Sequence, residues 1–289
     1  MPKKALKALF PMLAVLLLFA TGCSREPGKR ITVITREDGS GTRSAFTELF
    51  GIEIPDEDGR KLDRTTKRAE TEMNTANVMA GVAGNPRAIG YVSLGSLNGT
   101  VKALRVNGVA PGLSTVRDGS YEIQRPFNIL TKGALSDVAQ DFVSFILSSE
   151  GQAVVEKASY IPLDNLPGYS GSRPAGKVLV DGSSSVAPVM EKLKEAYEKI
   201  NPDADIQINE SDSSTGVKSI INASCDIGMA SRKLKPDEIA KGAAERTIAI
   251  DGIVVIVNKS NALDNATKEQ IMGIYTGEIT AWEYFEDAV

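Results

Sequence analysis

Short runs of apolar, β-branched residues alternate along this chain with segments of helical periodicity, and that alternation limits the possible folds more than any other feature. Seven runs predict strands: residues 31–34, 88–94, 101–106, 127–130, 177–180, 206–209 and 248–258. Six segments between them predict helices: residues 43–50, 72–83, 136–149, 188–200, 216–222 and 268–275. Interleaved strands and helices are typical of α/β proteins with largely parallel sheets, and this is the predicted fold class.

Two segments show neither the pattern of a strand nor that of a helix. Residues 55–70 are densely charged with little apolar period, which predicts a solvated loop or an exposed helix. Residues 162–176 hold three Pro, three Gly and two Ser, and they follow a helical pattern and precede a strand. This composition predicts a flexible linker between two otherwise complete pieces.

The first 22 residues are typical of a secretory leader. Lys3, Lys4 and Lys7 precede an apolar stretch at residues 13–20, which is too short to span a membrane as a helix. The small residues before Cys23 also resemble a bacterial lipoprotein signal, in which the cysteine is lipidated. The prediction is an extracytoplasmic protein held on the cell membrane by a lipid at Cys23, with plain secretion and an incidental cysteine as the alternative.

The composition excludes several kinds of function. The sequence has no histidine, which removes Ser–His and Cys–His nucleophile pairs and most catalytic zinc sites. It has no nucleotide P-loop and no G-x-S-x-G motif, so we expect no enzyme, no metal and no cofactor. Cys225 is the one cysteine besides Cys23, and its apolar run predicts a buried thiol. The formal net charge of −4 argues against nucleic-acid binding, which needs a basic face.

Three turns between a predicted strand and a predicted helix are rich in glycine and hydroxyl side chains: REDGSGTR at 36–43, DGSSSVAP at 181–188 and ESDSSTGVK at 210–218. The first N–H groups of a helix have no partner within it and lie at its positive end, so such turns bind anions. Gly39 and Gly41 let the backbone approach a ligand, and Arg36 offers a two-pronged donor. Each turn alone could be a simple helix cap. Three in one chain favour an anion caged by several helix N-termini.

These turns and three further motifs resemble the phosphate-binding proteins that serve phosphate ABC transporters. In the family's order the motifs are GSSSVAP, SDSSTGVK, DIGMASR, IAIDGIVVIVN, TGEITAW and REDGSGTR. The resemblance covers nearly all of the chain after the leader. It implies a two-lobed, type II periplasmic-binding-protein-like α/β fold with a ligand cleft and a two-stranded hinge. It also implies a monomer without catalytic activity, whose partners are inorganic phosphate and the permease subunits of the transporter.

The order of the motifs in this chain is rotated, because the family's last motif comes first. We therefore predict a circularly permuted chain, in which residues 162–176 join the family's usual termini. The contiguous lobe is then expected at 126–257 and the split lobe at 30–125 plus 258–289, with crossovers at 125–126 and 257–258. Two fragments that are each completed by another chain are the alternative, and the single copy of each motif argues against it.

Transferred residue by residue, the resemblance implies a phosphate site made of Arg36, Asp38, Ser40, Gly41, Thr42, Ser184, Ser185, Val186, Ser213, Arg232 and Asp251. Asp38 is expected to orient Arg36. Some members have an aspartate at the position of Arg232, where it accepts the proton of hydrogen phosphate and so rejects sulfate. Here Asp38 or Asp251 is the expected acceptor, and a structural cap on backbone N–H groups is the alternative role of Asp251.

Two other functions fit the same sequence. One is a receptor for another oxyanion, such as sulfate, molybdate or tungstate. The other is a module that senses phosphate for a membrane partner without transporting it.

Overall fold

The computed structural model describes residues 30–58 and 61–285. The leader, Cys23 and the last residues of the predicted split lobe lie outside the described residues. The strands are β1 Thr32–Arg36, β2 Glu53–Pro55, β3 Lys61–Asp63, β4 Glu70–Glu72, β5 Ala88–Ser93, β6 Lys102–Ala103, β7 Arg105–Val106, β8 Gln124–Thr131, β9 Gly176–Ser183, β10 Ala204–Ser211, β11 Ile227–Ala230, β12 Ala244–Val257 and β13 Asn265–Ala266. The helices are α1 Gly41–Leu49, α2 Thr75–Gly84, α3 Leu113–Arg117, α4 Asp137–Ile146, α5 Ser149–Lys157, α6 Ala187–Ile200, α7 Ser213–Ile221, α8 Pro236–Ala240 and α9 Lys268–Thr276.

One mixed sheet organises the chain, in the strand order β10-β9-β11-β8-β12-β5-β1-β4, with β6 added on β12. The outer strands β10, β9 and β11 are parallel, and so are β5, β1 and β4 at the other end. The central pairs β11–β8, β8–β12 and β12–β5 are antiparallel. The α/β fold class is confirmed, but the sheet is parallel only towards its two ends.

Strand β12 joins the two parallel parts. Its residues 244–252 pair with β8 and its residues 253–257 pair with β5. The core changes at the same place, because Ala249 packs among the side chains around β9 whereas Ile253 packs among those around β1. Strands β8–β11 with helices α4–α8 are termed the β9 side, and β1, β4 and β5 with α1, α2 and α9 the β1 side. Strand β12 therefore changes partner at 252–253, a few residues before the predicted crossover at 257–258, and the division into two lobes stays a prediction.

Aromatic packing places the start of α1 at the end of β1. The Phe46 ring of α1 stacks on Tyr91 of β5, with 3.9 Å between ring centroids. The Tyr91 hydroxyl accepts a hydrogen bond from the Arg36 backbone N–H at 3.1 Å, and the Tyr275 hydroxyl donates to the Ile34 carbonyl at 3.2 Å. These buried contacts fix the backbone from which the Arg36 side chain extends.

The charged segment at 55–70 is neither a loop throughout nor a helix. It contains the end of β2, the strand β3 and the start of β4, and β2 and β3 form an antiparallel hairpin in which Ile54 lies opposite Leu62. Each strand has only three residues, which is too short for an alternating pattern to be recognised, and Ile54 and Leu62 stay exposed rather than forming a buried face.

The predicted linker is held in place by hydrogen bonds. The hydroxyl groups of Tyr169 and Tyr197 both donate to the buried Asp141 of α4, at 2.6 and 2.7 Å. Asp141 also accepts from the Ser172 N–H at 2.9 Å, and Asn201 donates to the Pro174 carbonyl at 3.0 Å. The side chains of Asp141 and Asn201 thus hold two backbone groups of this segment, the Ser172 N–H and the Pro174 carbonyl, and its role as a joint between two pieces stays a prediction.

Smaller differences concern boundaries and burial. The helix predicted at 136–149 is two helices, α4 and α5, because the Ser148 side chain caps α5 by accepting from the Gly151 N–H. Cys225 is half-buried rather than fully buried, and burial raises the pKa of its thiol to about 12. Within residues 30–58 and 61–285, no helix has the length and apolar character needed to cross a bilayer.

Candidate functional site

The candidate site lies where the carboxyl ends of several strands of both sides meet. Strand β1 leads into α1, β4 into α2, β9 into α6 and β10 into α7. Ligands of α/β proteins bind outside the carboxyl ends of the strands, where the N-termini of the following helices present N–H donors and positive partial charge. Four helix N-termini from two sides of the molecule therefore converge on one place.

The Arg36 guanidinium is the charged group of this site. Its side chain is buried and donates to both carboxylate oxygens of Glu37, at 2.7 Å each. Its remaining N–H groups reach the hydroxyl of Thr75 at 3.2 Å and that of Ser184 at 3.1 Å. Arg36 thus joins the β1 side to the β9 side, and its positive charge is balanced by Glu37.

The expectation that Asp38 orients Arg36 is wrong. The Asp38 side chain is 95% exposed and forms an ion pair with Arg43 at 2.7 Å. Arg43 also donates to the Arg36 carbonyl at 2.9 Å, so it draws Asp38 away from the site. Glu37, the neighbouring residue, takes the role that the sequence analysis gave to Asp38.

Arg36 contacts two of a group of seven buried hydroxyl side chains, termed the hydroxyl cluster: Thr42, Thr75, Ser183, Ser184, Ser185, Ser213 and Ser231. The Ser185 hydroxyl is hydrogen-bonded to that of Thr42 at 2.8 Å and to that of Thr75 at 3.1 Å. The Ser231 hydroxyl is bonded to that of Ser183 at 3.0 Å and to that of Ser213 at 3.3 Å. Because hydroxyl groups rotate and can donate as well as accept, these groups can turn their protons towards an anion.

Two glycines allow the two sides to touch. A Cβ atom on Gly41 would lie 2.5 Å from the Ser213 hydroxyl oxygen and 2.7 Å from that of Ser231. The Gly39 carbonyl accepts hydrogen bonds from the N–H and the hydroxyl of Ser214, both at 3.2 Å. The turn at the end of β1 therefore sits directly on the N-terminus of α7.

Two predicted site residues serve the ends of helices. The Ser40 hydroxyl caps α1 by accepting from the Arg43 N–H at 3.3 Å. The Val186 N–H donates to the Ser183 carbonyl at 2.9 Å, where α6 begins. Both residues are buried beside the cluster, and their predicted contacts with a ligand stay predictions.

Asp251 belongs to a second buried ion pair. Its carboxylate accepts from the Ser93 hydroxyl at 2.7 Å and from Arg125 at 3.2 and 3.4 Å. Burial raises the pKa of Asp251 to about 6, although Arg125 and Ser93 oppose that shift. Arg125 also donates to the Ser231 carbonyl at 3.4 Å, which links this pair to the hydroxyl cluster. Both Asp251 oxygens are thus occupied, as a structural role requires, and its role as proton acceptor stays a prediction.

Arg232 lies at the edge of the site. Its guanidinium forms two hydrogen bonds of 2.8 Å with the carboxylate of Glu238. One N–H group also reaches the Ser214 hydroxyl at 3.3 Å, next to the contact between Ser214 and Gly39. Arg232 can therefore support the turn that closes the site, and direct contact with a ligand stays a prediction.

Sequence analysis missed several residues in the site or in the ion pair next to it: Glu37, Thr75, Ser93, Arg125, Ser183 and Ser231. Thr75 could have been found as a hydroxyl at a helix start, but the helix was predicted to begin at 72. Ser231 stands in the DIGMASR motif, whose strand was not predicted. Arg125 had no local signal, because its partner Asp251 is distant in sequence.

Among the residues that the structure describes, no three or more carboxylate or cysteine side chains are grouped to hold a metal ion. The arrangement offers hydrogen-bond donors instead. A guanidinium, rotatable hydroxyls and helix N-termini together suit a small oxyanion.

Comparisons with known proteins place the chain in a family. Residues 24–150 and 167–288 match the model of the PBP superfamily domain. A Streptococcus agalactiae protein named phosphate-binding protein PstS 2 is 48% identical over 266 residues, which cover 90% of this chain and 91% of that protein. The Streptococcus pneumoniae protein of the same name is 44% identical over 254 residues, covering 88% of this chain and 87% of that protein. A crystal structure described as a phosphate ABC transporter, phosphate-binding protein from S. pneumoniae superposes with a TM-score of 0.69 and 44% identity, covering 88% of this chain and 99% of that one. This chain therefore belongs to the PBP superfamily and, within it, to the family of the proteins named phosphate-binding protein PstS.

Proposed function

We propose that this protein binds inorganic phosphate between its β1 and β9 sides and delivers it to the permease of an ABC transporter. The observation that carries the proposal is the buried Arg36, whose guanidinium meets hydroxyl groups from both sides of the molecule. Relatives named PstS, at 48% and 44% identity over most of the chain, support phosphate as the ligand. The protein is a solute-binding component and has no catalytic role.

The chemistry of the cluster supports an anion that makes many short hydrogen bonds. Phosphate oxygens can replace the hydroxyl partners that Arg36 and Ser185 have in the structure, so few donors need to be newly desolvated. Because Glu37 balances Arg36, the attraction for an anion comes largely from the helix N-termini and the hydroxyl dipoles. A ligand that bonds to both sides stabilises their closed arrangement, as in other two-lobed binding proteins. We propose lobes that correspond to these two sides.

Selectivity for phosphate over sulfate depends on whether a group of the site accepts the proton of hydrogen phosphate. Three carboxylates lie in or beside the cluster, and each has hydrogen bonds to both oxygens: Glu37, Asp212 and Asp251. A hydroxyl oxygen is then the nearest acceptor unless one of these carboxylates exchanges its partner. This observation favours a second candidate function, a receptor that also binds other oxyanions such as sulfate or molybdate.

The sequence and one contact support a proposal for the location and the chain order. We propose that Cys23 is lipidated, that residues 1–22 are removed, and that the protein acts as an extracytoplasmic monomer at the cell membrane. The circular permutation is supported by the rotated motif order. The Ile31 N–H donates to the Thr280 carbonyl at 2.9 Å, so the segments that an unpermuted chain would connect lie side by side.

Calorimetric titration of the chain from Ser24 onward tests the ligand. Phosphate should bind one-to-one, and sulfate and molybdate added in excess should compete weakly. Thr42→Val should lower phosphate affinity because it removes a hydroxyl of the cluster. Thr47→Val is the matched control, since the buried Thr47 hydroxyl of the same helix bonds only within α1. Equal affinity for sulfate would favour the second candidate, and no binding of any oxyanion would refute both.

Uptake measurements separate transport from sensing. Cells that contain the permease should take up phosphate only when this protein is present. Unchanged uptake together with tight phosphate binding would favour a sensing module.

A further inference from the structure

A second concave surface lies on the β1 side, away from the hydroxyl cluster. It is a groove of about 550 Å³ between the loop after β3, the start of β1 and the C-terminal end of α9. Four cationic side chains line it: Arg30, Arg64, Lys67 and Arg68. We term it the basic groove.

The charge of the basic groove is largely uncompensated. Arg30, Lys67 and Arg68 are exposed, and none of them forms an ion pair with any residue in the part of the chain that the structure describes. Asp63, the one carboxylate among the lining residues, accepts instead from Arg43 and from the Thr65 N–H, at 2.9 and 2.8 Å. A local positive field therefore stands on a chain whose formal net charge is −4.

Exposed aliphatic side chains border the same groove. Leu62 is 50% exposed and lines it, and Ile54, its partner across the β2–β3 hairpin, is 38% exposed. Cationic side chains beside exposed aliphatic ones are typical of surfaces that rest on a membrane interface, where the cations meet phosphate groups and the aliphatic side chains enter the acyl boundary.

We propose that the basic groove docks the protein on an anionic phospholipid surface. The proposal rests on the membrane location under the proposed function, because Arg30 follows Cys23 by a stretch of chain that spans at most about 25 Å. A protein lipidated at Cys23 holds this groove close to the headgroups. A basic surface beside the anchor adds attraction to the anionic headgroups and sets which face of the protein rests on them.

Vesicle sedimentation tests the proposal with the unacylated chain from Ser24 onward. The protein should sediment with vesicles of phosphatidylglycerol and phosphatidylcholine, less so at higher salt, and not with phosphatidylcholine alone. The triple variant Arg30→Gln/Lys67→Gln/Arg68→Gln should bind anionic vesicles roughly a hundredfold more weakly, since each cation near an anionic bilayer contributes a factor of about five.

The control variant Lys157→Gln/Lys177→Gln/Lys199→Gln removes the same net charge from exposed positions on the β9 side. It should bind anionic vesicles within a few fold of the wild type. Equal losses in the two triple variants, or no sedimentation of the wild type, would overturn the proposal. Displacement of the double variant Arg36→Met/Glu37→Gln, which is expected to bind phosphate weakly at the hydroxyl cluster, from vesicles by inorganic phosphate at constant ionic strength would show that the groove takes free phosphate, which also overturns the proposal.

Calorimetry keeps this test apart from that of the proposed function. Both triple variants should bind phosphate as the wild type does, because none of the six residues contacts the hydroxyl cluster. If the wild type does not bind phosphate, the proposed ligand is refuted. The sedimentation result would still test the basic groove, because it does not depend on phosphate binding.

Discussion

Two buried arginines, Arg36 and Arg125, form ion pairs of the same kind that serve two different purposes. Each is paired with a buried carboxylate, Glu37 in one case and Asp251 in the other. The spare N–H groups of Arg36 end on hydroxyl groups, which can change partner, whereas the spare group of Arg125 ends on a main-chain carbonyl. We infer that Arg36 is arranged to serve a ligand and Arg125 to hold the fold together.

The positions of the two pairs support this distinction. Arg36 ends strand β1 at the junction of the two sides, where four helices begin. Arg125 and Asp251 are opposite each other on β8 and β12, next to the point at which β12 changes partner. Burying an ion pair costs desolvation, and removing one partner leaves an uncompensated charge. The same kind of substitution should therefore affect stability at one site and binding at the other.

The largest expected effect is that of Arg125→Met on stability. This change leaves Asp251 buried without its cation and should lower the free energy of unfolding by about 3–5 kcal/mol. Urea unfolding followed by circular dichroism measures it. Adding Asp251→Asn to the same variant should restore part of the loss. Phosphate affinity should stay within a few fold, and a large loss of affinity without loss of stability would exchange the roles assigned to the two arginines.

The free energy of unfolding should depend on pH because the Asp251 carboxyl titrates. Its pKa in the folded protein, about 6, lies above the ordinary value of 3.8, so the folded state binds the proton more tightly than the unfolded state. Its contribution to stability is therefore present below about pH 4 and is lost as the pH rises through about 6, by roughly 3 kcal/mol.

Comparison with Asp251→Asn isolates this effect, because the other carboxyl groups titrate in both proteins. The free energy of unfolding of the wild type, minus that of the variant, should fall between pH 4 and pH 7. A difference that does not change with pH would show that Asp251 titrates normally.

Arg36→Met should act on binding. It removes a charged, buried donor from the ligand and should weaken phosphate binding by about a hundredfold or more, as truncation of one partner in such pairs does. Combining it with Glu37→Gln avoids an unpaired carboxylate, so the double variant should fold with near wild-type stability. Titration calorimetry measures the affinity, and a double variant that still binds tightly would remove Arg36 from the site.

Gly41→Ala should hold the two sides apart. The added methyl group would overlap the hydroxyl oxygens of Ser213 and Ser231, so closure over the ligand should be impaired. We expect phosphate affinity to fall by roughly tenfold or more, because a 1.4 kcal/mol penalty on the closed state is already tenfold. Gly84→Ala is a control at a glycine with no atom within 4 Å of the added methyl group, and it should change affinity little.

Thr75→Val should have the smallest effect of this series. It removes one hydroxyl that bonds to Arg36 and Ser185 while keeping the shape of the side chain. The net contribution of one hydrogen bond is about 1 kcal/mol, so the affinity for phosphate should fall by about fivefold. An affinity equal to that of the wild type would place the ligand away from the N-terminus of α2.

The fold was predictable where strands are buried and helices amphipathic, as in β5, β9 and α6. It was not predictable at the charged hairpin β2–β3, whose exposed strands have no buried face, or along residues 162–176, where Asp141 fixes a stretch with the composition of a linker. The site was predictable where a turn carries glycine and hydroxyl residues. The error at Asp38 arose because the side chains of neighbouring residues at a strand end point in different directions.

Partners that are distant in sequence set the remaining limit. Arg125 and Asp251 meet only because β8 and β12 pair, and Thr75 reaches Ser185 only because the two sides touch. No local pattern carries such contacts, so they need the three-dimensional arrangement.

A crystal structure of the chain from Ser24 onward with phosphate bound tests the central claim most directly. The account predicts one phosphate between the two sides, with the Arg36 guanidinium and the Ser185 and Thr42 hydroxyls within hydrogen-bond distance of its oxygens. Phosphate bound elsewhere, with the hydroxyl cluster unchanged from its present hydrogen bonds, would contradict the account.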